Sequence, residues 1–482
     1  MSVREKYEVV IGLEVHAQLL TKTKAYSSEE NIYGATPNTK TSVISLGHPG
    51  TLPRSNEKVI EYAVKLGLAV GSNIRERNEY ARKNYFYADL PKGYQITQDT
   101  TPICNGGTIQ IKDNKGKAKQ IAITRIHMEE DAGKSIHDLD PFNTLIDLNR
   151  AGVPLVEVVS EPDIRSSDEA YQYINEVRKL VRYLDICDGN MEEGSLRCDA
   201  NVSVMLKGTT EFGTKVEVKN MNSSRNVKRA IEFETERQIE VLEKGGIVNH
   251  ETRSFNAANN TTISMRHKEE ANDYRYFSEP DLQPVIVTKN YINEVRKTLP
   301  PLPNELFERF TTEFGLSEYD TNILIDEKGI ALYFNELCEY TKNYKSAANF
   351  INGSVKSYLN ENAVTIADFS ISPEQLASLI TIVDNGKVSN TIAGSKVFPA
   401  MLNSNDTADK IATENNWIQE SDSDSLSDYI KQAIAKYPEK VAEYKLGKKG
   451  LIGLFMGEVM KLSKGKADPK LANQLLRTEL EK

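Results

Sequence analysis

Two short acidic segments constrain this chain more than anything else in it. They are Ile126-His-Met-Glu-Glu-Asp-Ala-Gly-Lys134 and Met191-Glu-Glu-Gly-Ser-Leu-Arg-Cys-Asp-Ala-Asn201. Each contains a Met-Glu-Glu core, and each adjoins a strand-like run, residues 121–126 before the first and 200–205 after the second. Adjacent carboxylates repel, so a fold that gathers several must supply a compensating cation. The economical expectation is a magnesium site that handles phosphates.

With 482 residues the chain exceeds one compact core, which predicts two or three domains. Its 27% charged and 39% apolar residues are those of a soluble globular protein and argue against a disordered or membrane class. No apolar run reaches the roughly 18 residues of a membrane span. Met1-Ser-Val-Arg-Glu-Lys-Tyr7 is no signal-like start either, so a cytoplasmic location is expected. Cys104, Cys187, Cys198 and Cys338 are far apart with no C-x-x-C pair, which predicts reduced single thiols. The net charge of −9 argues against wholesale coating of a nucleic acid. Residues 431–482, however, hold twelve Lys/Arg against six Asp/Glu. A basic appendage on an acidic body can grip a polyanion at one end only.

Residues 7–18 alternate, with Val9, Ile11, Leu13 and Val15 on one parity and Glu14, His16 and Gln18 on the other. That is a half-buried strand, and it displays Glu14 and His16 about 7 Å apart. Lys215-Val-Glu-Val-Lys219 alternates likewise. Helical periodicity covers 57–70, 167–184 and 226–244 without regular βαβ alternation, which predicts an α+β domain. Leu299-Pro-Pro-Leu-Pro303 is a stiff break, and helical patterns follow it. A polar stretch near 405 suggests a second boundary. Ser160-Glu-Pro-Asp-Ile164 is echoed by Ser278-Glu-Pro-Asp-Leu282, either as two similar strand-to-turn junctions or by coincidence.

A phosphate loop is excluded. Gly133-Lys-Ser135 could end a G-x-x-x-x-G-K-[ST] motif, but position 128 is Met and three acids precede the glycine. The hard-ligand candidates are Glu14, His16, Glu129, Glu130, Glu192, Glu193 and Asp199. Glu14 and His16 could equally be the solvent face of an edge strand, and His16 is an unusual magnesium ligand. Residues 82–95 interleave Lys83 and Lys92 with Tyr85, Phe86, Tyr87 and Tyr94. These rings could stack a base or fill a core. The glycines at 447, 450, 453 and 457 suggest a close helix–helix contact. The lysines around them suit an RNA backbone, with a plain solvated face as the alternative.

Taken together, these segments resemble the B subunit of the bacterial-type glutamyl-/aspartyl-tRNA amidotransferases, the GatB family. The resemblance spans essentially the whole chain. It rests on Val10-Ile-Gly-Leu-Glu-Val-His16, Arg82-Lys-Asn-Tyr-Phe-Tyr87, Lys92-Gly-Tyr-Gln-Ile96, His127 to Lys134, Asp147-Leu-Asn-Arg150, Met191 to Ala200, Val218-Lys-Asn-Met-Asn-Ser223 and Asp273-Tyr-Arg-Tyr-Phe277. It implies a mixed-sheet cradle domain over 1–297, a helical domain over 298–405 and a small helical YqeY-like tail over 406–482 that meets tRNA. Lys448, Lys449, Lys464 and Lys466 are the expected tRNA contacts. The implied reaction uses ATP and Mg2+ to phosphorylate the side-chain carboxylate of Glu-tRNA(Gln) or Asp-tRNA(Asn). Ammonia made by an amidase-type A subunit then forms the amide, and a small C subunit completes the heterotrimer. Glu14, His16, Glu130 and Asp199 are the expected metal ligands, with Glu129, Glu192 and Glu193 in or near their surroundings. Lys83, Lys92 and Glu217 match positions lining the ammonia passage. Many members also carry zinc on F-C-x-C and C-P-x-C. Here those stretches read Tyr26-Ser-Ser-Glu29 and Ser42-Val-Ile-Ser45, so zinc is not expected. A non-catalytic tRNA-binding scaffold with a structural acidic cluster is the competing reading. A stand-alone metal-dependent nucleotidyltransferase is a third, which would be active without partners.

Overall fold

The computed structural model describes residues 3–113, 115–137, 139–267, 274–419, 423–463 and 465–481. The chain divides into two compact units, Met1–Leu302 and Pro303–Lys482, so the proline-rich break falls at the division.

The first unit is an α+β cradle whose main strands are β1 (Tyr7–Gln18), β2 (Ala81–Asn84), β3 (Tyr94–Thr97), β4 (Ala118–Glu130), β5 (Pro154–Ser160), β6 (Leu196–Leu206), β7 (Val216–Lys219), β8 (Glu251–Asn256) and β9 (Thr261–His267). Among the described residues one ten-stranded sheet runs β9-β8-β7-β6-β1-β5-β4, continuing through the short strands Cys104–Asn105 and Asn73–Ile74. Thr108–Lys112 also pairs with β4. All these pairings are antiparallel except β7 with β8.

β1 lies near the middle because its alternation is the strictest. Ile11, Leu13, Val15 and Ala17 are fully buried, while Glu14, His16 and Gln18 are half-buried on the other face. The apolar face shares one core with α1 (Glu57–Ala69), α2 (Ser167–Tyr183) and α3 (Ser224–Glu243). In α2 the buried Ala170, Tyr173, Ile174, Val177 and Val181 follow the three-to-four-residue spacing of one helix face. Asn56, Ser166 and Ser223 cap the three helices, each accepting from a first-turn N–H. The helices therefore hold one side of the sheet and leave the acidic side to chemistry. Both copies of Ser-Glu-Pro-Asp do sit where a strand ends, β5 on Ser160 and the short Phe277–Ser278 strand on Ser278.

The β2–β3 hairpin is tied to Phe277–Ser278 by strand pairing and by Arg82. The guanidinium donates to both oxygens of Glu279 at 2.6 and 2.9 Å, and to Asp281 at 3.0 Å. The Glu279 side chain is fully buried. Arg82→Ala strands that charge and is expected to cost the first unit about 3 kcal/mol, read as a lower urea midpoint. Arg82→Lys is expected to recover part of the loss, because a single ammonium cannot match the two-point contact.

The described elements of the second unit are all helical. Within the helical stretch, Tyr344–Phe350 and Lys356–Asn362 are joined by a π-helical turn at Ile351–Val355. A second π turn lies at Ala393–Val397. Residues from Leu426 to Leu480 have a core of their own, built on Leu426, Ile430, Phe455, Val459 and Leu476. The glycine expectation is overturned here. A Cβ added at Gly447, Gly450, Gly453 or Gly457 would meet nothing within 4 Å. The Ile452–Leu462 helix buries Phe455, Glu458 and Val459, so Gly453 and Gly457 fall on its outward side and not at a helix crossing. Among the described residues no helix is long and apolar enough to cross a membrane.

Candidate active site

Strand register gathers the functional side chains into two neighbouring groups on the acidic face of the cradle. In one row across β4, β5, β1 and β6, His127 pairs with Glu157, Glu157 with His16, and His16 with Arg197. Glu157 is the hub. Its Oε2 lies 3.2 Å from His16 Nε2 and 3.4 Å from His127 Nε2. His127 Nε2 is also 3.6 Å from Glu129, which accepts from Thr97 Oγ1 at 2.8 Å and lies 3.6 Å from Lys83 Nζ.

Burial of His127 works against its charged form, but Glu157 and Glu129 more than offset it and lift its pKa to about 9. His16 is raised on the same logic, with Glu157 outweighing burial. Burial works against the Glu129 carboxylate too, yet Lys83 and His127 hold its pKa down at about 2. Glu157 is held well below the carboxylate range by the two imidazoles despite its burial. This group thus carries its own counter-charges.

The second group does not. Glu14 stands opposite Asp199 in the β1–β6 register, and Glu217 joins them from β7. One carboxylate oxygen from each lies within 4.8 Å of the others. Lys219 sits among them, paired with Asp199 and 3.4 Å from Glu217. Burial raises the pKa of Glu14, and Glu157, Glu217 and Asp199 raise it further, against the opposing pull of Lys219. Asn201 Nδ2 donates to Glu14 at 2.8 Å, while the buried Asn201 Oδ1 has no hydrogen-bond partner among the described residues. An all-oxygen set of three close carboxylates with a spare carbonyl oxygen fits a hard divalent ion.

The first acidic segment behaves differently from the cation-sharing cluster its sequence suggests. Successive residues on a strand point apart, so its three carboxylates find three separate partners. Glu129 joins His127 and Lys83. Glu130 pairs with Lys92 and accepts the Ile96 N–H at 2.8 Å. Asp131 accepts from Arg197 and Gln18, both at 2.8 Å. Of the expected ligands, Glu14 and Asp199 are therefore brought together, His16 leans on Glu157, and Glu130 belongs to neither group of close ligand atoms. Lys83 and Lys92 do meet buried carboxylates, but those of Glu129 and Glu130. Glu217 stands with the oxygen-only set, where it also accepts from Thr252 at 2.8 Å. Glu192 and Glu193 are exposed in the turn before β6, their N–H groups donating to Asn190 Oδ1.

Tyr85 is half-buried and bonded to Gln95, whereas Phe86 and Tyr87 are exposed. Gly133-Lys-Ser135 leads into a two-stranded ribbon and not a helix. In the tail, Lys448 pairs with Glu443 at 3.0 Å and Lys449 lies 3.9 Å from Glu481. Lys466 lies just before the last helix, and Lys464 is outside the described residues, as is Asp273. All four cysteines are buried single thiols. At the would-be zinc positions Ser42 Oγ donates to Ser45 Oγ at 3.2 Å. Hydroxyls there replace the soft thiolates zinc favours, so elemental analysis is expected to find no stoichiometric zinc. A one-to-one content would contradict this.

Sequence reading missed Glu157 and Lys219. Glu157 was detectable as the one charge in Pro154-Leu-Val-Glu-Val-Val-Ser160. A lone acid in a buried strand must have a partner. Lys219 shares its parity with Glu217, which places the two on one face.

Comparison with known proteins gives the family. The family described as "GatB/GatE catalytic domain" matches residues 9–293, the span of the cradle. The family described as "GatB domain" matches residues 332–480. Similar curated proteins include the B subunit of the aspartyl/glutamyl-tRNA(Asn/Gln) amidotransferase of Caldicellulosiruptor saccharolyticus, 49% identical over 480 residues, 99% of this chain and 100% of that one. The proteins of the same name from Syntrophotalea carbinolica and Bdellovibrio bacteriovorus are each 48% identical over 475 residues, 98% of this chain and 99% of theirs. With both family matches in chain order and near-complete coverage at about half identity, this chain belongs to the GatB family of amidotransferase B subunits.

Proposed function

We propose that this chain is the activating and amide-forming subunit of a tRNA-dependent amidotransferase, acting on Glu-tRNA(Gln), Asp-tRNA(Asn) or both, with an amidase-type A subunit and a small C subunit as partners. The supporting observation is the Glu14, Asp199 and Glu217 set, three carboxylates with ligand oxygens within 4.8 Å of one another beside Lys219. A side-chain carboxylate is a poor acyl electrophile until one oxygen becomes a good leaving group. Its oxygen attacks the γ-phosphorus of ATP and ADP departs, leaving an acyl phosphate. Ammonia then attacks the carbonyl carbon, and inorganic phosphate leaves as the amide forms.

Glu14, Asp199 and Glu217 would hold Mg2+, which supplies charge neutralisation for the polyphosphate. Lys219 places a second positive group beside them, its pKa raised because Asp199 and Glu217 outweigh its burial. Glu157 raises the pKa of both His16 and His127 and so favours the charged imidazoles beside it. Lys83 and Lys92 are proposed to line the ammonia passage. Each covers a buried carboxylate, so opening either pair exposes unpaired charge at about 3–5 kcal/mol and keeps the passage shut until substrate arrives. The tail lysines Lys448, Lys449, Lys464 and Lys466 are proposed to meet tRNA phosphates, which makes binding fall steeply with salt.

The test is the reconstituted complex with each mischarged tRNA, ATP and glutamine. ADP and amide should form together, and both should disappear when this chain is omitted. A scaffold role is favoured by the first acidic segment alone, whose carboxylates are already paired. It predicts that amidation survives loss of the Glu14 charge.

A further inference from the structure

The row across β4, β5, β1 and β6 ends on Arg197, and the chemistry described so far gives that side chain nothing to do but hold Asp131. Its Nη2 donates to Asp131 at 2.8 Å, and among the described residues the guanidinium makes no other hydrogen bond or ion pair. Most of its N–H donors are therefore uncommitted. The side chain is 34% exposed, so a ligand can reach them.

Asp131 does not depend on Arg197 alone. Its buried carboxylate also accepts from Gln18 Nε2 at 2.8 Å and lies 3.7 Å from Arg150 Nε. Arg150 is fixed there, donating to the carbonyls of Ala132 at 3.0 Å and Gly133 at 2.6 Å. One carboxylate between two guanidiniums leaves a surplus positive charge on the acidic face of the cradle. When Arg197 turns toward a second anion, Asp131 keeps a cation and a neutral donor. The exchange thus avoids the cost of a stranded buried charge.

Position indicates which anion. Arg197 and Asp199 are two residues apart on β6, so they share a face with Cα atoms about 7 Å apart. Burial disfavours the guanidinium charge, and Asp131, Asp199 and Glu129 together outweigh it, so Arg197 is within electrostatic range of both carboxylate groups. A polyphosphate at the oxygen-only set would find its counter-charges in Mg2+ and Lys219. The carboxylate to be activated has none there, and Glu14, Asp199 and Glu217 repel it. Arg197 supplies one, in a planar fork that matches a carboxylate at two points.

We propose that Arg197 receives the side-chain carboxylate of the aminoacyl group, with Arg150 and Gln18 keeping Asp131, and so distinguishes the acid that is amidated from the amide that is released. The assignment rests on the amidation reading of function and adds the group that recognises its substrate. The test uses the assembled complex and hydrolysis-resistant analogues of Glu-tRNA(Gln) and Gln-tRNA(Gln), in which an amide replaces the aminoacyl ester. Wild type is expected to bind the carboxylate analogue at least tenfold tighter than the carboxamide one in filter binding. Arg197→Gln should bring the two together by weakening the carboxylate analogue alone, and should lower kcat/KM for amidation about 10²-fold. Arg197→Lys keeps the charge beside Asp131 but loses the fork, so it should retain part of the preference. Equal weakening of both analogues would make Arg197 a structural residue and overturn the assignment. A preference that survives in Arg197→Gln, or is absent from wild type, would overturn it too. So would a raised KM for ATP with the preference intact, which would move the guanidinium to the polyphosphate. A wild-type complex that forms no amide from either mischarged tRNA would instead sink the function on which the assignment rests.

Discussion

Replacing Glu14 by glutamine is expected to lower ATP-dependent amidation by roughly 10²–10³-fold, the scale for losing one charge-stabilising group at a reacting centre. Glutamine hydrolysis by the partner subunit should persist, as should tRNA binding. The reasoning is electrostatic. The carboxamide keeps the shape and the Asn201 contact but removes one of three negative charges gathered beside Lys219. The set then no longer attracts a divalent ion, and the polyphosphate loses its counter-charge. Glu14→Asp shortens the side chain and retains the charge, so it should fall between the two. Raising Mg2+ should rescue the aspartate variant more than the glutamine one, a distinction read directly from initial rates. Undiminished amidation in Glu14→Gln would leave only the scaffold reading.

The second large effect is on stability. Glu157→Leu removes the shared partner of the half-buried His16 and the buried His127, whose pKa values it raises. Leaving a buried charge unpaired costs about 3–5 kcal/mol. The effect should depend on pH in a definite direction. A histidine whose folded pKa is raised contributes stability that is complete below its unfolded value of about 6.5. That contribution is lost as pH climbs through the folded value, about 9 for His127. Glu129, depressed to about 2, acts oppositely: its contribution is present above its ordinary pKa and lost as pH falls through the folded value. Wild type and Glu157→Leu should therefore differ most near pH 6 and converge above pH 9. Urea titrations of the chelated protein across that range would show it. A gap that stays constant with pH would mean that the loss is packing alone.

Much of this architecture was legible from residue pattern. The parity of Val9, Ile11, Leu13 and Val15 gave β1 and its acidic face, and the periodicity of α1, α2 and α3 was an equally local signal. What pattern could not supply was register. Glu14 meets Asp199 only because β1 lies beside β6, a partnership between residues 185 positions apart. The pleat likewise divides Glu129 from Glu130, which looked like a joint ligand pair in the linear sequence. The tail glycines misled for a related reason. Small residues permit a close crossing but do not require one, and here Phe455 and Val459 decide which face is covered.

The most direct measurement is anomalous diffraction from crystals of the assembled complex soaked with Mn2+ and a non-hydrolysable ATP analogue. The account predicts a peak bound by Glu14, Asp199 and Glu217, with the γ-phosphate beside it. A peak held instead by His127, Glu129 and Glu157, or density confined to the surface, would contradict it.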